Sequence, residues 1–330
     1  MSKARLWVAV IGLFCCAGAA SAQEMDLRVT DEVERAVSRG LEYLARTQSP
    51  DGSWWNLRPN GGGCGVVGLN LLAFLAHGDI PDEGKYGLVM RRAVEYIVTH
   101  QAANGLLEGV DGSPMYNHGF ATMALAEVYG MIDYPKLGPA LKKAVGLIVS
   151  SQNNQGGWRY SVGAQDSDTT VSGAQMVALR AAASAGIEVP LDTIKRGVQF
   201  YKSMYCPGGG FGYQAPNGPN DARSGIGLLV MCLSGSYHSE EAKVTADWLI
   251  NNPWGYTYTS YRNYYCAQAL LQAGGKYWRR WNETQIPLIL STQQPDGSWR
   301  NDESVHEPPE SAFNLLALEV SYYYLPIYQR

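Results

Sequence analysis

The sequence predicts an all-α fold in which six helical hairpins close into an (α/α)6 toroid, and three observations support this prediction. A turn with the pattern Gln-x-x-x-Gly-x-Trp recurs along the chain. Between turns, an amphipathic helical pattern alternates with one that is apolar on nearly all sides. No repeat carries the polar outer face of a terminal cap, so the apolar layer has to close on itself.

The turn ends the first helix of each period. Its clear copies are Gln48–Trp54, Gln152–Trp158 and Gln293–Trp299. With weaker copies, the turns start at positions 48, 101, 152, 205, 251 and 293, so the spacing runs from 42 to 53 residues. Glycine accepts a positive φ and ends a helix, and Pro-Asp or Asn-Asn favours a turn. We expect the three tryptophans to fold back as apolar staples in an outer layer.

The helix before each turn is amphipathic. Over residues 33–44, apolar side chains recur at helical spacing with charges between them. In four periods a basic residue stands four positions before an aromatic or aliphatic anchor: Arg39/Tyr43, Arg92/Tyr96, Lys143/Leu147 and Arg196/Phe200. Ala242 and Thr284 occupy the basic position in the last two periods. These helices are predicted to form the outer layer.

The helix after each turn is apolar nearly all round and rich in small residues. We place it at Gly65–Gly78, Tyr116–Gly130, Asp168–Gly186, Ala222–Tyr237, Tyr261–Gly274 and Glu310–Tyr324. Such a helix has to be buried on every side. Several of these stretches end in glycine, which stops a helix. They are predicted to form an inner barrel within a single toroid that spans residues 30–330.

The N-terminus has the pattern of an export signal. A basic start is followed by an apolar stretch at residues 6–16 and by a small-x-small site at residues 20–22. We expect cleavage after Ala22, a short leader over residues 23–29, and a secreted or periplasmic protein. The apolar run is too short for a transmembrane anchor and no later stretch is suitable, although peripheral membrane contact stays open.

Charge and cysteine content narrow the functional classes. The net charge is −4 and no run of Lys or Arg exists, so no nucleic-acid partner is expected. The expected mature chain has four cysteines: Cys64, Cys206, Cys232 and Cys266. Export permits disulfides and three pairings are open, but buried free thiols are favoured.

The turns, preceded by Arg-Gly-Leu-Glu-Tyr-Leu at residues 39–44 or its variants, resemble the repeat of squalene and hopene cyclases, which protein prenyltransferase β subunits share. The chain is similar to secreted, single-barrel proteins of the prenyltransferase and squalene oxidase repeat group. The resemblance covers nearly the whole expected mature chain. It implies a terpene cyclase-like barrel. It leaves the activity open, and if the protein is an enzyme, the resemblance implies a terpene cyclase or isomerase.

One activity of these relatives is cyclisation started by the middle Asp of an Asp-x-Asp-Asp motif. The run Asp166-Ser-Asp168-Thr169 is similar, and it would make Asp168 the proton donor with Asp166 beside it. Thr169 replaces the last Asp, which helps to tune that acid, and the cyclases have two barrels where this chain has one. Alternatively, Asp168 caps the following helix by accepting from the N–H of Thr170 or Val171.

Two further activities of the relatives lack their residues here. Zinc-dependent prenyl transfer needs Asp-x-Cys, but Tyr264 stands two residues before Cys266. The set Asn263, Cys266 and His306 is a poor zinc site, so neither a metal nor another cofactor is expected. The thioester of related ring domains needs Cys-Gly-Glu-Gln, whereas Cys64 begins Cys-Gly-Val-Val, which excludes it.

The starts of the inner helices are predicted to meet at one mouth, which helix dipoles make positive. The candidate site residues delivered there are Tyr116, His118, Asp166, Asp168, Asp221, Arg223, Tyr261, Arg262, Tyr264, Tyr265, His306 and Glu310. An apolar concavity with a few polar groups is typical of small-molecule binding. We therefore predict that a hydrophobic, isoprenoid-like molecule binds in a central channel, with catalysis unproven.

The sequence also allows structural roles for the candidate site residues and other functions for the protein. His118 can bond a neighbouring inner helix, Tyr264 and Tyr265 can pack in the core, and Asp221 can pair with Arg223. The alternative functions are a non-catalytic interaction scaffold and a cyclase that uses Asp168. A carbohydrate-active (α/α)6 barrel fits the acids and aromatics, but it fits the Gln-Gly-Trp repeats poorly.

Overall fold

The structure is a computed structural model that describes residues 29–54, 63–109, 112–252, 255, 258–300 and 310–328. The predicted signal segment and His306 lie outside these residues. The described α-helices are α1 (Asp31–Thr47), α2 (Cys64–His77), α3 (Gly87–Thr99), α4 (Pro114–Val128), α5 (Leu137–Ser151), α6 (Thr169–Ser184), α7 (Leu191–Ser203), α8 (Asp221–Leu233), α9 (Glu240–Asn251), α10 (Thr259–Ala273), α11 (Gly275–Thr284), α12 (Ile286–Ser291) and α13 (Glu310–Glu319). Short 3₁₀-helices follow at Val320–Tyr322 and Pro326–Tyr328.

The helices form a closed double ring. The inner helices α2, α4, α6, α8, α10 and α13 contact one another in chain order, and α13 also contacts α2. The outer helices pack between successive inner ones, and α12 closes the outer layer against α1. This arrangement confirms the predicted all-α toroid. The sixth outer helix differs from the expectation because it is divided into α11 and α12, with Pro287 in the first turn of α12.

Glycines set the close spacing of the inner helices. A Cβ atom added at Gly65 would lie 2.5 Å from the Cα of Asn117 in α4. Gly119, Gly173 and Gly225 have the same role at the next three interfaces, where an added Cβ would meet α6, α8 and α10. The small residues of the inner pattern therefore allow close helix approach as well as burial.

The glutamines that begin four of the turns tie one repeat to the next. The Nε2 of Gln48 donates to the carbonyl oxygen of Gly52 at 3.2 Å and to that of Val89 in α3 at 2.8 Å. Gln101 and Gln152 repeat this pair of bonds toward α5 and α7. Because one side chain satisfies carbonyls in two repeats, the turn fixes the packing of adjacent outer helices.

The tryptophans are buried staples, as predicted. The Nε1 of Trp54, Trp158 and Trp299 donates to a carbonyl ten residues earlier in its own outer helix, at 2.8–2.9 Å. In two of these turns, the backbone N–H of the tryptophan also donates to a serine hydroxyl of the following inner helix. The acceptor is Ser172 for Trp158 at 2.8 Å and Ser311 for Trp299 at 3.0 Å. The turns of Trp158 and Trp299 are thus attached to both layers.

The ring closes at a seam between the last turn and α1. The Nε2 of Gln293 donates to the carbonyl oxygen of Ala36 at 2.8 Å. Gly297 has a φ of +91°, and a Cβ added there would lie 2.3 Å from the carbonyl oxygen of Arg39. Gly52 stands in the same relation to Arg92 in α3. The repeated basic residue therefore lies against the turn of the preceding repeat.

Candidate functional site

A chain of tyrosines crosses the mouth of the barrel. Tyr116 of α4 and Tyr261 of α10 come from opposite sides of the inner ring, and their hydroxyls share a hydrogen bond of 2.7 Å. The ring centroid of Tyr160 lies 6.1 Å from that of Tyr116, and its hydroxyl lies 2.6 Å from the hydroxyl of Tyr213. The starts of α4 and α10 therefore meet on the axis, as expected.

Aromatic side chains fill the axis below these tyrosines. The ring centroids of Phe120, Tyr264 and Phe313, from three different inner helices, are 5.2–6.1 Å apart. Tyr264 and Tyr265 are almost completely buried. The open channel expected from the sequence is therefore occupied at this level, since the closely spaced helices bring their aromatic rings together. Tyr264 and Tyr265 pack in the core and form no wall of a channel.

Asp168 caps α6, as the structural alternative predicted. Its Oδ1 accepts from the backbone N–H groups of Thr170 and Val171, both at 2.8 Å, and from the Thr170 hydroxyl at 2.6 Å. Its Oδ2 accepts from the guanidinium of Arg159 at 3.1 Å. Burial raises the pKa of Asp168 above its ordinary value, although these bonds act in the opposite direction. Both oxygens of this carboxyl are engaged by the protein.

Arg159 links Asp168 to the exposed edge of the mouth. Its Nε lies 3.2 Å from the carboxylate of Asp166, which also accepts from the side chain of Gln214 at 3.0 Å. Its guanidinium lies 5.0 Å from the ring centroid of Tyr160. The result is a polar rim of an arginine, a carboxylate and an amide beside the tyrosine rings.

His118 lies away from the mouth and has a structural contact in place of the predicted ligand contact. It is fully buried, its Nδ1 accepts from the backbone N–H of Leu107 at 3.1 Å, and its Nε2 lies 3.0 Å from the carbonyl oxygen of Ala144 in α5. Burial lowers its pKa to about 4, so the ring is neutral. Leu107 occupies the tryptophan position of the second turn, so His118 replaces Ser172 and Ser311 of the other repeats.

Asp221 and Arg262 lie between the two layers, and Asp221 does not pair with Arg223 as the structural alternative suggested. The Oδ2 of Asp221 is 3.8 Å from the guanidinium of Arg262. Arg262 also donates to Asn263 at 2.7 Å and to Gln285, at the junction of α11 and α12, at 3.3 Å. Asp221 lies near Arg262 because the Arg262 side chain points from α10 toward the outer layer.

Arg223 and Glu310 occupy other surroundings. Arg223 is half-buried, donates to the carbonyl oxygen of Gly218 at 2.7 Å, and lies 5.8 Å from the ring centroid of Tyr213 at the edge of the mouth. Glu310 is buried at the first residue of α13.

Sequence reasoning missed Arg159, Tyr160, Tyr213 and Gln214. They lie on the stretches that lead from a turn to the next inner helix. Arg159 and Tyr160 directly follow Trp158, and Tyr213 stands two residues after the tryptophan position of the fourth turn. The sequence therefore contained a signal for these four residues. Each lies on a stretch that connects the end of an outer helix to the start of an inner helix, and so leads to the mouth.

The four cysteines are buried free thiols, as favoured from the sequence. Burial raises the pKa of Cys64 to about 12, so its thiol is protonated at neutral pH. Within the described residues, no group of three or more His, Cys, Asp and Glu side chains is arranged to hold a metal ion. None of the helices in the described part of the chain is long and apolar enough to cross a membrane.

The repeat and the mouth can now be compared with known proteins. Residues 65–219 match the family model of the squalene-hopene cyclase C-terminal domain. The chain is a squalene cyclase-like α/α toroid. The matched range begins in α2 and ends before α8, so it includes the turn Gln152–Trp158 and the cap Asp168. A direct sequence comparison with curated proteins gave no match.

Solved structures with the same architecture include glycoside hydrolases. The toroid is similar to the GH76A α-1,6-mannanase of Salegentibacter sp. HEL1_6, with a TM-score of 0.64, 10% identity and coverage of 89% of this chain and 100% of the other. The family 76 glycoside hydrolase (mannosidase) Bt3792 of Bacteroides thetaiotaomicron has a TM-score of 0.59, 11% identity and coverage of 88% and 98%. The type II terpene cyclase MstE of Scytonema has a TM-score of 0.39, 13% identity and coverage of 90% and 98%. The likeness to the two hydrolases concerns the fold alone.

Proposed function

We propose that this toroid is an exported protein that binds a hydrophobic, isoprenoid-like small molecule on the tyrosine-lined mouth, without acid-initiated cyclisation. The observation that carries the proposal is the hydrogen bond between Tyr116 and Tyr261. Since it joins opposite sides of the barrel, it turns the mouth into a floor of ring faces above a filled axis. The ligand is expected to lie on this floor.

The chemistry of the floor suits a molecule with an apolar body and one polar group. The rings of Tyr116 and Tyr160 offer apolar faces, and tyrosine commonly combines such a face with a hydrogen-bonding tip. Arg159 and Gln214 stand at the rim and can bind a hydroxyl or carbonyl group. This division of apolar floor and polar rim is typical of small-molecule sites.

The surroundings of Asp168 argue against cyclisation. A general acid has to present its proton to the reacting atom at hydrogen-bond distance. The Oδ1 of Asp168 accepts from Thr170 and Val171, and its Oδ2 pairs with Arg159. Burial raises the pKa of Asp168, but these donors act in the opposite direction and occupy the positions that a substrate would need.

Titration of the full mature chain with farnesol, an isoprenoid alcohol, tests the proposal by native mass spectrometry and thermal shift. We expect an adduct on the wild type and binding about tenfold weaker in Tyr160→Ala, because burial of an aromatic face contributes about 1.5 kcal/mol or more. Tyr277→Ala, a half-buried tyrosine of the outer layer, is the matched control and should bind normally. No farnesol adduct, or equal binding by both variants, would overturn the proposal.

An oligosaccharide is the second candidate ligand. The observation that favours it is the exposed pair of Asp166 and Gln214 beside the tyrosine rings, because sugar hydroxyls bind carboxylates and amides while the sugar ring stacks on an aromatic face. Titration with α-1,6-mannotriose separates the two candidates. Binding of mannotriose with no response to farnesol would replace the first proposal by the second.

A further inference from the structure

A groove on the outer wall, lined by other residues than the mouth, lies along the seam where the ring closes. It has a volume of about 620 Å³. This seam groove is lined by Arg39, Tyr43 and Arg46 of α1, by Lys85 and Tyr86 before α3, and by Asp296 of the last turn. Tyr43 and Tyr86 are buried at its base, whereas the charged side chains are exposed.

Positive charge prevails in the seam groove. The guanidinium groups of Arg46 and Arg300 both lie 5.8 Å from the ring centroid of Tyr43. Lys85 is 2.5 Å from Glu42, and Arg300 is 2.5 Å from Asp296, so two of the cations have a carboxylate partner. The chain as a whole has a net charge of −4. A local excess of cations on an acidic protein attracts a negatively charged partner.

The excess comes from Arg39 and Arg46. Arg39 donates to the side-chain oxygen of Gln293, and Arg46 donates to the backbone oxygen of Asp296 at 3.1 Å. Both acceptors are uncharged, and the described residues contain no ion pair for either arginine. A guanidinium has five N–H donors in a fork that fits a carboxylate, so both keep donors for a ligand.

The repeat does not require an arginine at the position of Arg46. At the position of Arg46, three residues after the anchor, the second, third and fourth repeats have Thr99, Ser150 and Ser203. The glutamines of the neighbouring turns make the same pair of bonds with or without an arginine there. At the seam, Arg39 and Arg46 lie on one outer helix without a carboxylate at ion-pair distance among the described residues, and Arg46 acts at longer range on Glu42 and Asp296.

We propose that the seam groove binds an acidic peptide segment of a partner protein, with two carboxylates of the peptide on Arg39 and Arg46. The two arginines are seven residues apart on α1, which corresponds to about 10 Å along the helix axis. An extended peptide covers that distance in about three residues.

Fluorescence anisotropy of a labelled hexaglutamate peptide with the full mature chain tests this proposal. We expect saturable binding that weakens with added salt. Arg46→Gln should weaken it about tenfold or more, because a charge-assisted hydrogen bond is lost. Arg92→Gln is the matched control, since Arg92 is the exposed equivalent of Arg39 on the next outer helix, and it should bind as the wild type does.

Because Arg46 also bonds the last turn, Arg46→Lys serves as a second variant that keeps the charge, and it should bind more tightly than Arg46→Gln. No hexaglutamate binding, or the same affinity for Arg46→Gln, Arg46→Lys and Arg92→Gln, would overturn the proposal. Binding of inorganic phosphate in place of the peptide would also overturn it, in favour of a small anion. Farnesol binding at the mouth should be unchanged in Arg46→Gln, so the two proposals fail independently.

Discussion

The turns and the mouth are both built from the repeated hairpins. The contacts in the turns recur from repeat to repeat, whereas those at the mouth occur once. In the turns, Gln48, Gln152 and Gln293 place the same side-chain nitrogen on a carbonyl oxygen of the adjacent outer helix, at two junctions and at the seam. At the mouth, by contrast, Tyr116 and Tyr261 are single contributions from opposite helices. Contacts that recur in the repeats stabilise the ring whatever its function. Side chains that occur once, such as those at the mouth, can instead differ between proteins according to the ligand.

The largest effect is expected at a tryptophan staple. Trp158→Ala should destabilise the toroid by about 3–5 kcal/mol, because it removes a buried aromatic side chain together with its hydrogen bond. Urea unfolding followed by circular dichroism measures this change. Trp248→Ala, at a half-buried position of α9, should cost less. A loss below about 1 kcal/mol for Trp158→Ala would mean that the staples contribute little to stability.

The second largest loss of stability is expected at the glycine of the seam. Gly297→Ala combines a positive φ with a Cβ atom 2.3 Å from a backbone oxygen, so we expect destabilisation of about 2–4 kcal/mol. Gly163→Ala is the matched control, because Gly163 also has a positive φ of +76° but open space around its Cβ position. It should lose only about 1–2 kcal/mol. Equal melting temperatures for both variants would contradict the role assigned to the seam contact.

The repeat explains why the fold could be predicted and parts of the site could not. The spacing of Gln48, Gln152 and Gln293 identifies the hairpins, since a period is visible in one sequence. The direction of a side chain at the start of a helix is not periodic. The side chain of Arg262 turns to the outer layer because of a contact that only the folded ring brings together. The repeat does indicate that Arg159 lies near the mouth, but the pairing of Arg159 with Asp168 is visible only in the folded ring.

His118 tests whether a histidine of an inner helix holds its turn in place as serine does in other repeats. Its pKa is about 4 in the folded protein and near 6.5 when unfolded, so the unfolded chain binds more protons between these values. Its contribution to stability is therefore complete above pH 6.5 and is lost as the pH falls toward 4. At pH 5 we expect a loss of about 2 kcal/mol relative to pH 7, and His118→Gln should remove this dependence.

His77 provides a control of opposite sign. The hydrogen bond to Asp79 raises the pKa of His77, so the folded protein binds more protons than the unfolded chain and its contribution is lost as the pH rises. His77→Gln should therefore make the stability fall more steeply between pH 7 and pH 5. A stability profile that is the same in His118→Gln and the wild type would rule out the proposed role of His118.

The smallest effect is expected at Asp168, and it bears most directly on function. Asn accepts from the backbone N–H groups at a helix start as well as Asp does, but its NH2 group cannot accept from Arg159 as the Oδ2 of Asp168 does. Asp168→Asn should therefore keep the cap, lose the contact with Arg159 and be destabilised less than Asp168→Ala, which should lose about 1–2 kcal/mol. A cap role also predicts that farnesol binding is the same in Asp168→Asn and the wild type. If Asp168→Asn keeps its stability but abolishes a turnover detected with an isoprenoid substrate, Asp168 is an acid after all. In that case the motif at residues 166–169, and not the tyrosine floor, defines the site, because the loss of turnover follows the loss of a transferable proton while the helix cap is kept.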